Sequence, residues 1–415
     1  MSNVKHVDGH FVRLRLKAVP TAKAARTESD ITVVESADAL SPYLGALEEM
    51  ARSATDSNPL FEGAALQAAM RHLAPANAVH VALVWGEAGI DEKRVLIGAF
   101  PYRARRFYLG LPIAVWSIWT HIHSFLATPL LRAGQERAAV GAFFAHAARC
   151  GAPLIRFPLF ETGGAFDTAL AALIAEQNLP NVETARHERA FLQSDLDGEA
   201  YLAAHMRKKK RKEYNRLWNR LAELGELEFS THGGGADFTG WLDEFLRLER
   251  AGWKGKRGTA LAERPEERAF FEDFAGSWHT GGKLHCAEIR LDGRPVAMLA
   301  SFLSGGGAYS FKIAHDEAFA KYSPGALLMM KVIGAFQNDP HVAWVDSCAI
   351  PNHPMIDHIW AERRGIREMN VATSGRGALL VAYTARASRL ADLVWAKARA
   401  VYYRIRKEVE HEEAH

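Results

Sequence analysis

The stretch from Lys283 to Phe336 constrains this chain more than any other part of it. Lys283–Leu291 and Arg294–Leu303 read as strands joined by Asp292-Gly293, a dipeptide suited to a two-residue hairpin. Ala308–Ala314 follows Gly305-Gly306-Gly307 and alternates Tyr309, Phe311 and Ile313 on one face. Tyr322-Ser323-Pro324-Gly325 then opens an apolar helix at 326–337 with no acidic residue in its first turns. The pattern is an antiparallel run of strands delivered into a helix through proline and glycine. A helix N-terminus offers unpaired N–H groups and the positive end of a dipole, which suits a pyrophosphate. Gly325 lets the backbone approach such a group closely. By spacing alone, the same pattern describes any strand–turn–helix junction.

The surrounding sequence alternates strands and helices. Val79–Trp85 and Val95–Tyr102 read as strands, 134–149 as a helix ended by Gly151, and Pro153–Phe157 as a strand. A helix at 165–178 and a strand at Ala190–Leu196 follow. One helix is expected from Glu199 to Leu224, a strand at Glu226–Thr231, and helices at Asp237–Arg250 and Pro265–Thr280, the last with proline in its first turn. Val342–Val345 and Ile366–Thr373 are strands flanking a short helix at Met355–Ala361. This predicts mixed α/β (α+β) architecture with a sheet at the centre.

The 415 residues suit two domains. Net charge is +3, from 51 basic and 48 acidic residues, so anion binding must come from local clusters and not from the whole chain. Cys150, Cys286 and Cys348 are far apart and without CxxC spacing, which argues against a disulfide framework or a zinc site and for a reducing compartment. Histidines such as His353 and His358 lack metal spacing on one helix face, so no metal is expected. Residues 1–30 are polar and basic, without an h-region, and read as a mobile or extended arm. Phe107–Leu131 has no charged side chain, but Gly110, Pro112, His121, His123 and Pro129 cut it too short for a membrane span; buried strands and a loop are expected.

Two segments are strongly basic. Arg207-Lys208-Lys209-Lys210-Arg211-Lys212 places six cations in under two helical turns. With Met206, Tyr214, Leu217, Leu221 and Leu224 as the apolar stripe, Lys210 falls on that stripe and calls for an anionic partner. A solvated face is the alternative. The tail from Ala378 to Lys407 reads as a basic amphipathic helix, with Leu379, Tyr383, Ala387, Leu390, Val394, Ala398, Val401 and Ile405 in one stripe. Such a helix suits docking on the protein or on an anionic membrane surface.

From the loop before Lys283 to about Arg364, the chain resembles the GNAT acyltransferase domain of CelD/BcsL-type proteins of exopolysaccharide synthesis. The residues carrying this are Gly282-Lys283-Leu284, Leu291-Asp292-Gly293-Arg294-Pro295-Val296-Ala297, Ala314-His315-Asp316, Lys321-Tyr322-Ser323-Pro324-Gly325-Ala326-Leu327-Leu328 and Asp346. Leu248-Glu249-Arg250-Ala251-Gly252-Trp253-Lys254-Gly255 and the basic helix at 206–220 add to it. The resemblance, which extends to peptidoglycan-branching Fem-type transferases, implies tandem GNAT-like domains, each a mixed central sheet flanked by helices. It divides the chain into an arm at 1–30, a first GNAT-like domain at 31–190, a second at 191–375 and a basic helix with tail at 376–415. The chain departs from the family after Asp346, where Ser347-Cys348-Ala349-Ile350-Pro351-Asn352-His353-Pro354 replaces the usual acidic-x-x-Tyr-Lys stretch. The two closely spaced glycines of the usual phosphate loop are also absent.

The resemblance implies the following roles. Acyl-CoA is the donor, held by Tyr322, Ser323, Gly325 and Ala326, with Lys312 on the preceding strand. Asp346 or Asp316 is the base or orienting carboxylate, and Tyr322 the acid that protonates the leaving thiolate. Arg207, Lys210, Arg211, Glu249, Trp253 and Lys254 face the acceptor, an amino sugar of an exopolysaccharide or of its lipid-linked precursor. The work is cytoplasmic, peripheral at the inner membrane through 378–407, without DNA. Aminoacyl transfer from tRNA is an alternative, disfavoured because no long inserted helical hairpin is visible. A non-catalytic binding protein of polysaccharide assembly is a third.

Overall fold

The computed structural model describes residues 30–75, 78–88, 93–108, 112–233, 237–374 and 377–387. The chain opens with β1 (Asp30–Val34), α1 (Ala37–Leu40), α2 (Leu44–Ser53) and α3 (Gly63–His72). β2 (His80–Ala88), β3 (Lys93–Arg105), β4 (Val115–Ile118) and the short β5 (Leu130–Leu131) follow. Next come α4 (Glu136–Arg149), β6 (Leu154–Glu161), α5 (Ala165–Gln177) and β7 (Asn181–Leu192). The second half has α6 (Gly198–His205), α7 (Lys208–Ala222), β8 (Leu227–His232), α8 (Phe238–Ala251), α9 (Trp253–Lys256) and α10 (Pro265–Thr280). It ends with β9 (Leu284–Leu291), β10 (Arg294–Ser304), β11 (Gly307–His315), α11 (Pro324–Gln337), β12 (Val345–Asp346) and β13 (Glu362–Ala372).

All the strands belong to one mixed sheet, in the order β1-β2-β3-β4-β6-β13-β7-β12-β11-β10-β9-β8, with β5 beside β3. The last strand of the chain, β13, lies between β6 and β7, and β7 lies between β13 and β12. The two halves are therefore interleaved along the sheet. Each half repeats one device. β4 pairs β6 in parallel over Val115–Ser117, and β11 pairs β12 in parallel over only Ala308 and Tyr309. The architecture is the mixed α/β fold with helix-flanked sheet that the sequence predicts, with the tandem repetition expressed as this doubled splay.

Alternation along β10 shows why the sheet is covered on both faces. Met298, Ala300 and Phe302 join a core that runs on into the first half, while Ala297 and Leu299 join a second core built with Tyr214, Leu221 and the buried face of α11. Gly198 sets the approach of α6 to α11: a Cβ there would come within 2.9 Å of the Gly334 amide nitrogen. Such contact is possible only without a side chain.

Three expectations change. β7 starts at Asn181, not near Ala190, because its first half is a polar stretch paired to β13 and carries no hydrophobic alternation. The single helix expected at 199–224 is two: Met206 is extended (φ −112, ψ 132) and buried, which separates α6 from α7. Lys210, in the first turn of the new helix, is exposed, and its ammonium lies 5.5 Å from the Tyr214 ring centroid. It needs no buried anion. In the tail, residues 377–387 are helical, but Val381 and Thr384 face the protein while Leu379 is 81% exposed, so the predicted stripe starts outward. The rest of that helix lies outside the described residues. Phe107–Leu131 includes the strands β4 and β5, and no described helix is long and apolar enough to cross a membrane.

Candidate functional site

The site grows from the splay of β11 and β12. After two residue pairs the strands part: β12 ends at Asp346 and the chain turns away through Cys348 at φ +52, while β11 continues to His315. Parted parallel strands leave a wedge with unpaired backbone edges. A register shift opposite Ala300/Ser301 gives β11 an extra residue at Phe311. A bulge of this kind re-aims side chains that strict alternation would send to opposite faces. As a result Ser310, Phe311, Lys312 and Ile313 all line one cavity of about 680 Å³.

The floor of that cavity is the start of α11. Ser323, Pro324, Gly325 and Ala326 line it. Ser323 takes a left-handed conformation (φ 53, ψ 50) and its side chain makes no cap; Pro324 has no N–H and the Ala326 amide donates to the Ser323 carbonyl at 3.0 Å, so the Gly325 amide is left to another acceptor. A Cβ on Gly325 would meet its neighbours only at 3.7 Å, ordinary contact distance. The protein's own packing does not require glycine there; a ligand lying against the amides would.

The opposite wall comes from Ser347, Cys348, Ala349 and Ile350 after β12, with His353 and Met355 beyond. Trp253 and Ile350 are 46% and 70% exposed, the apolar residues of the rim. Cations supply the charge. Lys254 Nζ lies 2.7 Å from Glu249 Oε1 and donates to the Ile313 carbonyl at 3.0 Å. Burial, then the nearby Lys254 charge, lowers the Lys312 pKa to about 8. Ser310 lines the wall, and among the described residues its buried Oγ has no hydrogen-bond partner.

The residues expected from sequence separate into two groups. Ser323, Gly325, Ala326, Lys312, Trp253 and Lys254 are brought together on the cavity wall. Glu249 stands just behind, fully engaged by Lys254 and by the Leu261 amide at 2.8 Å. Arg207, Lys210 and Arg211 lie at the start of α7, outside the wall, reached through Lys210 over the lining Tyr214.

The three expected catalytic residues sit elsewhere. Asp316 caps the turn at Glu317–Tyr322, accepting from the Ala318 amide at 2.9 Å. Tyr322 lies in a shallow cleft against α7, with Arg216 and Arg220. Asp346 is fully buried; its Oδ2 accepts from Arg189 at 2.5 Å and Arg364 at 2.8 Å, and its Oδ1 from the Cys348 amide at 2.8 Å. Burial alone would raise its pKa, but the charges of Arg189 and Arg364 outweigh this and hold it below the ordinary value. A carboxylate so enclosed orients the β12 turn; it accepts three hydrogen bonds and does not line the cavity.

Sequence reasoning missed Ser310, Cys348 and His123. His123 comes from the charge-free run of the first half, and its Nδ1 lies 3.3 Å from Lys312 Nζ. Its place inside an apolar run was the one signal available. In the first half the corresponding wedge between β4 and β6 is filled: Leu126 and Ala127 are buried there and the Ala127 amide donates to Leu159 O. Among the described residues no cluster of three His, Cys, Asp or Glu is placed to hold a metal.

Residues 208–351 match the family described as acetyltransferase (GNAT) domain. This stretch, which supplies most of the cavity, is thus a GNAT-type acyltransferase domain, and the protein is an acyltransferase. No curated protein matches the chain. In fold it is similar to the C-terminal DUF2156 domain of a chain described as a lysylphosphatidylglycerol synthetase from Agrobacterium fabrum. That likeness has a TM-score of 0.51 and 13% identity, covering 84% of this chain and 96% of that one. It is also similar to FemX, with a TM-score of 0.50, 11% identity, and 79% and 95% coverage.

Proposed function

We propose that the protein transfers an acyl group from acyl-CoA to the amino group of a sugar in an exopolysaccharide or its lipid-linked precursor. The observation that carries the donor half is the wedge between β11 and β12, which runs onto the uncapped N-terminus of α11. In this reading the pantetheine arm takes the place of the missing strand edge. The pyrophosphate lies against the Gly325 amide at the positive end of α11, with His315 and Lys254 on the same wall. The acyl carbonyl sits at the Phe311 bulge, where freed backbone N–H groups stabilise the tetrahedral oxyanion. The acceptor enters past Trp253, whose exposed ring offers a sugar an apolar face. The resemblance of Lys283–Arg364 to the exopolysaccharide family supports the sugar. The enzyme works in the cytoplasm, peripheral to the inner membrane through its tail.

The test is binding and turnover. Acetyl-CoA raises the melting temperature of the purified protein, and thiol is released when glucosamine is added. No shift with any acyl-CoA sinks the donor assignment. A second reading, aminoacyl transfer from tRNA, is favoured by the exposed cations from Arg207 to Lys210, which meet the cavity edge at Tyr214. Protection by tRNA without protection by acyl-CoA selects it. Binding of the full chain to anionic liposomes tests the membrane assignment; full retention in the unbound fraction refutes it.

A further inference from the structure

An amine acceptor arrives as an ammonium ion and must lose a proton before it can attack. Among the described residues, no carboxylate lines the cavity. Asp346 and Glu249 are closed off by the partners given above, and Asp316 caps the turn at Glu317–Tyr322, outside the wall. The base must therefore come from the wall's nitrogen or sulfur groups.

Most of these are committed. Lys254 is engaged by Glu249 and the Ile313 carbonyl. His353 Nδ1 faces the Met355 amide at 3.3 Å and the Ile356 amide at 3.4 Å, so its lone pair is turned to the backbone. His315 lies beside Gly325, at the α11 end of the cavity where donor phosphates belong. Burial and the Asp346 charge push the Cys348 thiol well up, so it is no thiolate.

Lys312 is different. Among the described residues its ammonium has one hydrogen-bond partner, His123 Nδ1 at 3.3 Å. His123 Nε2 lies 3.0 Å from Glu267 Oε2, an ion-pair distance off the line of a hydrogen bond. Glu267 in turn accepts from Arg264 Nη1 at 2.8 Å. The imidazole stacks on Phe270, with centroids 5.7 Å apart and planes 4° from parallel, so its orientation is fixed. A relay of lysine, imidazole and carboxylate thus spans three elements: β11, the 119–130 segment of the first half, and α10.

We propose that Lys312 is the base that takes the acceptor's proton, with His123 and Glu267 as positioning residues. This rests on the acyl-transfer reading. Neutral Lys312 Nζ takes one proton from R–NH3+. The amine nitrogen then bonds to the thioester carbonyl carbon, the C–S bond breaks, and the thiolate takes the second proton lost from nitrogen. Lys312 returns its proton to solvent. Burial and the Lys312 charge hold His123 neutral, its pKa lowered to about 2. An Nε2–H tautomer then leaves the Nδ1 lone pair to Lys312, with Glu267 beside the Nε2 edge of the ring. The other titratable groups around Lys312 are Glu249 and Lys254 from α8 and α9, Cys348 after β12, and His121. With Lys254 and the burial of Lys312, these set a poise near neutral pH, suited to a general base.

The test has a donor-free arm and a turnover arm. NMR titration of lysine side chains, with the Lys312 signal identified by its loss in Lys312→Arg, is expected to show a midpoint near 8 that moves in Glu267→Gln. A midpoint in the ordinary lysine range, about 10.4, overturns the proposal whatever the donor. In turnover with acetyl-CoA and glucosamine, kcat/KM rises with pH through the same midpoint. Lys312→Gln lowers it by about 10²-fold or more while keeping the donor-induced rise in melting temperature. Added alkylamines restore formation of acylated glucosamine in Lys312→Ala. A working wild type with an equally active Lys312→Gln overturns the base and leaves the donor reading standing. A wild type silent with every acyl-CoA overturns that reading and the step built on it.

Discussion

Arg189 Nη2 lies 2.5 Å from Asp346 Oδ2, and both side chains are almost completely buried. Arg189 belongs to β7 and Asp346 ends β12, so the pair ties these neighbouring strands at the root of the wedge. Arg364 of β13 joins the same carboxylate oxygen and reaches on to Glu161 of β6. Four strands are thereby locked at the point where the sheet splays.

Removing one partner of such a group leaves an uncompensated buried charge. Asp346→Ala is expected to cost about 3–5 kcal/mol, read as a lower urea midpoint. Its loss of activity follows unfolding and not a change in pH profile. The folded pKa of Asp346 is depressed, so its stabilisation is full above the unfolded value, about 3.9, and is lost as pH falls through the folded value. Acid unfolding of Asp346→Asn, set against the wild type, measures this. An Asp346→Asn enzyme of unchanged stability and abolished turnover would restore the aspartate as base.

Glu249 is buried between Lys254 Nζ and the Leu261 amide. Glu249→Ala strands both donors and is expected to cost about 3–5 kcal/mol. Glu249→Gln keeps the acceptor for Leu261 and costs less. Comparing the two urea midpoints checks the order; equal midpoints would show that the Leu261 bond contributes nothing.

Gly325→Val separates folding from binding. The site tolerates a Cβ at 3.7 Å from its neighbours, so melting temperature without ligand changes little. The added methyl groups stand where the donor would meet the Gly325 amide. Acetyl-CoA affinity falls about tenfold or more, equivalent to about 1.4 kcal/mol, by calorimetry. Undiminished affinity would move the donor away from α11.

Ser310→Ala removes a buried hydroxyl that has no partner among the described residues. Deleting an unsatisfied group is close to neutral or stabilising, so the urea midpoint holds or rises. Donor or acceptor affinity falls, because Ser310 lines the cavity. A loss of stability with unchanged binding would assign Ser310 to the core.

The sequence by itself determined what is local. The turn between β9 and β10 falls at Asp292-Gly293, with Asp292 at φ 49 and Gly293 at φ 73. Pro265 starts α10 and Pro324 starts α11. Each follows from a few adjacent residues with restricted backbone choices. That is why the start of α11, with Ser323, Gly325 and Ala326, was legible as a ligand-facing helix end. Tertiary structure decided the rest. The insertion of β13 between β6 and β7 joins segments about two hundred residues apart, and no local period encodes it. Asp346 looked like a free strand-end carboxylate until Arg189 and Arg364 closed on it. Lys312 looked like a strand cation until His123, 189 residues away, was placed against it by the path of the first half. Periodicity reports which face a residue takes; only the packed sheet reports what it faces, and the chemistry of a lysine or an aspartate is set by that neighbour.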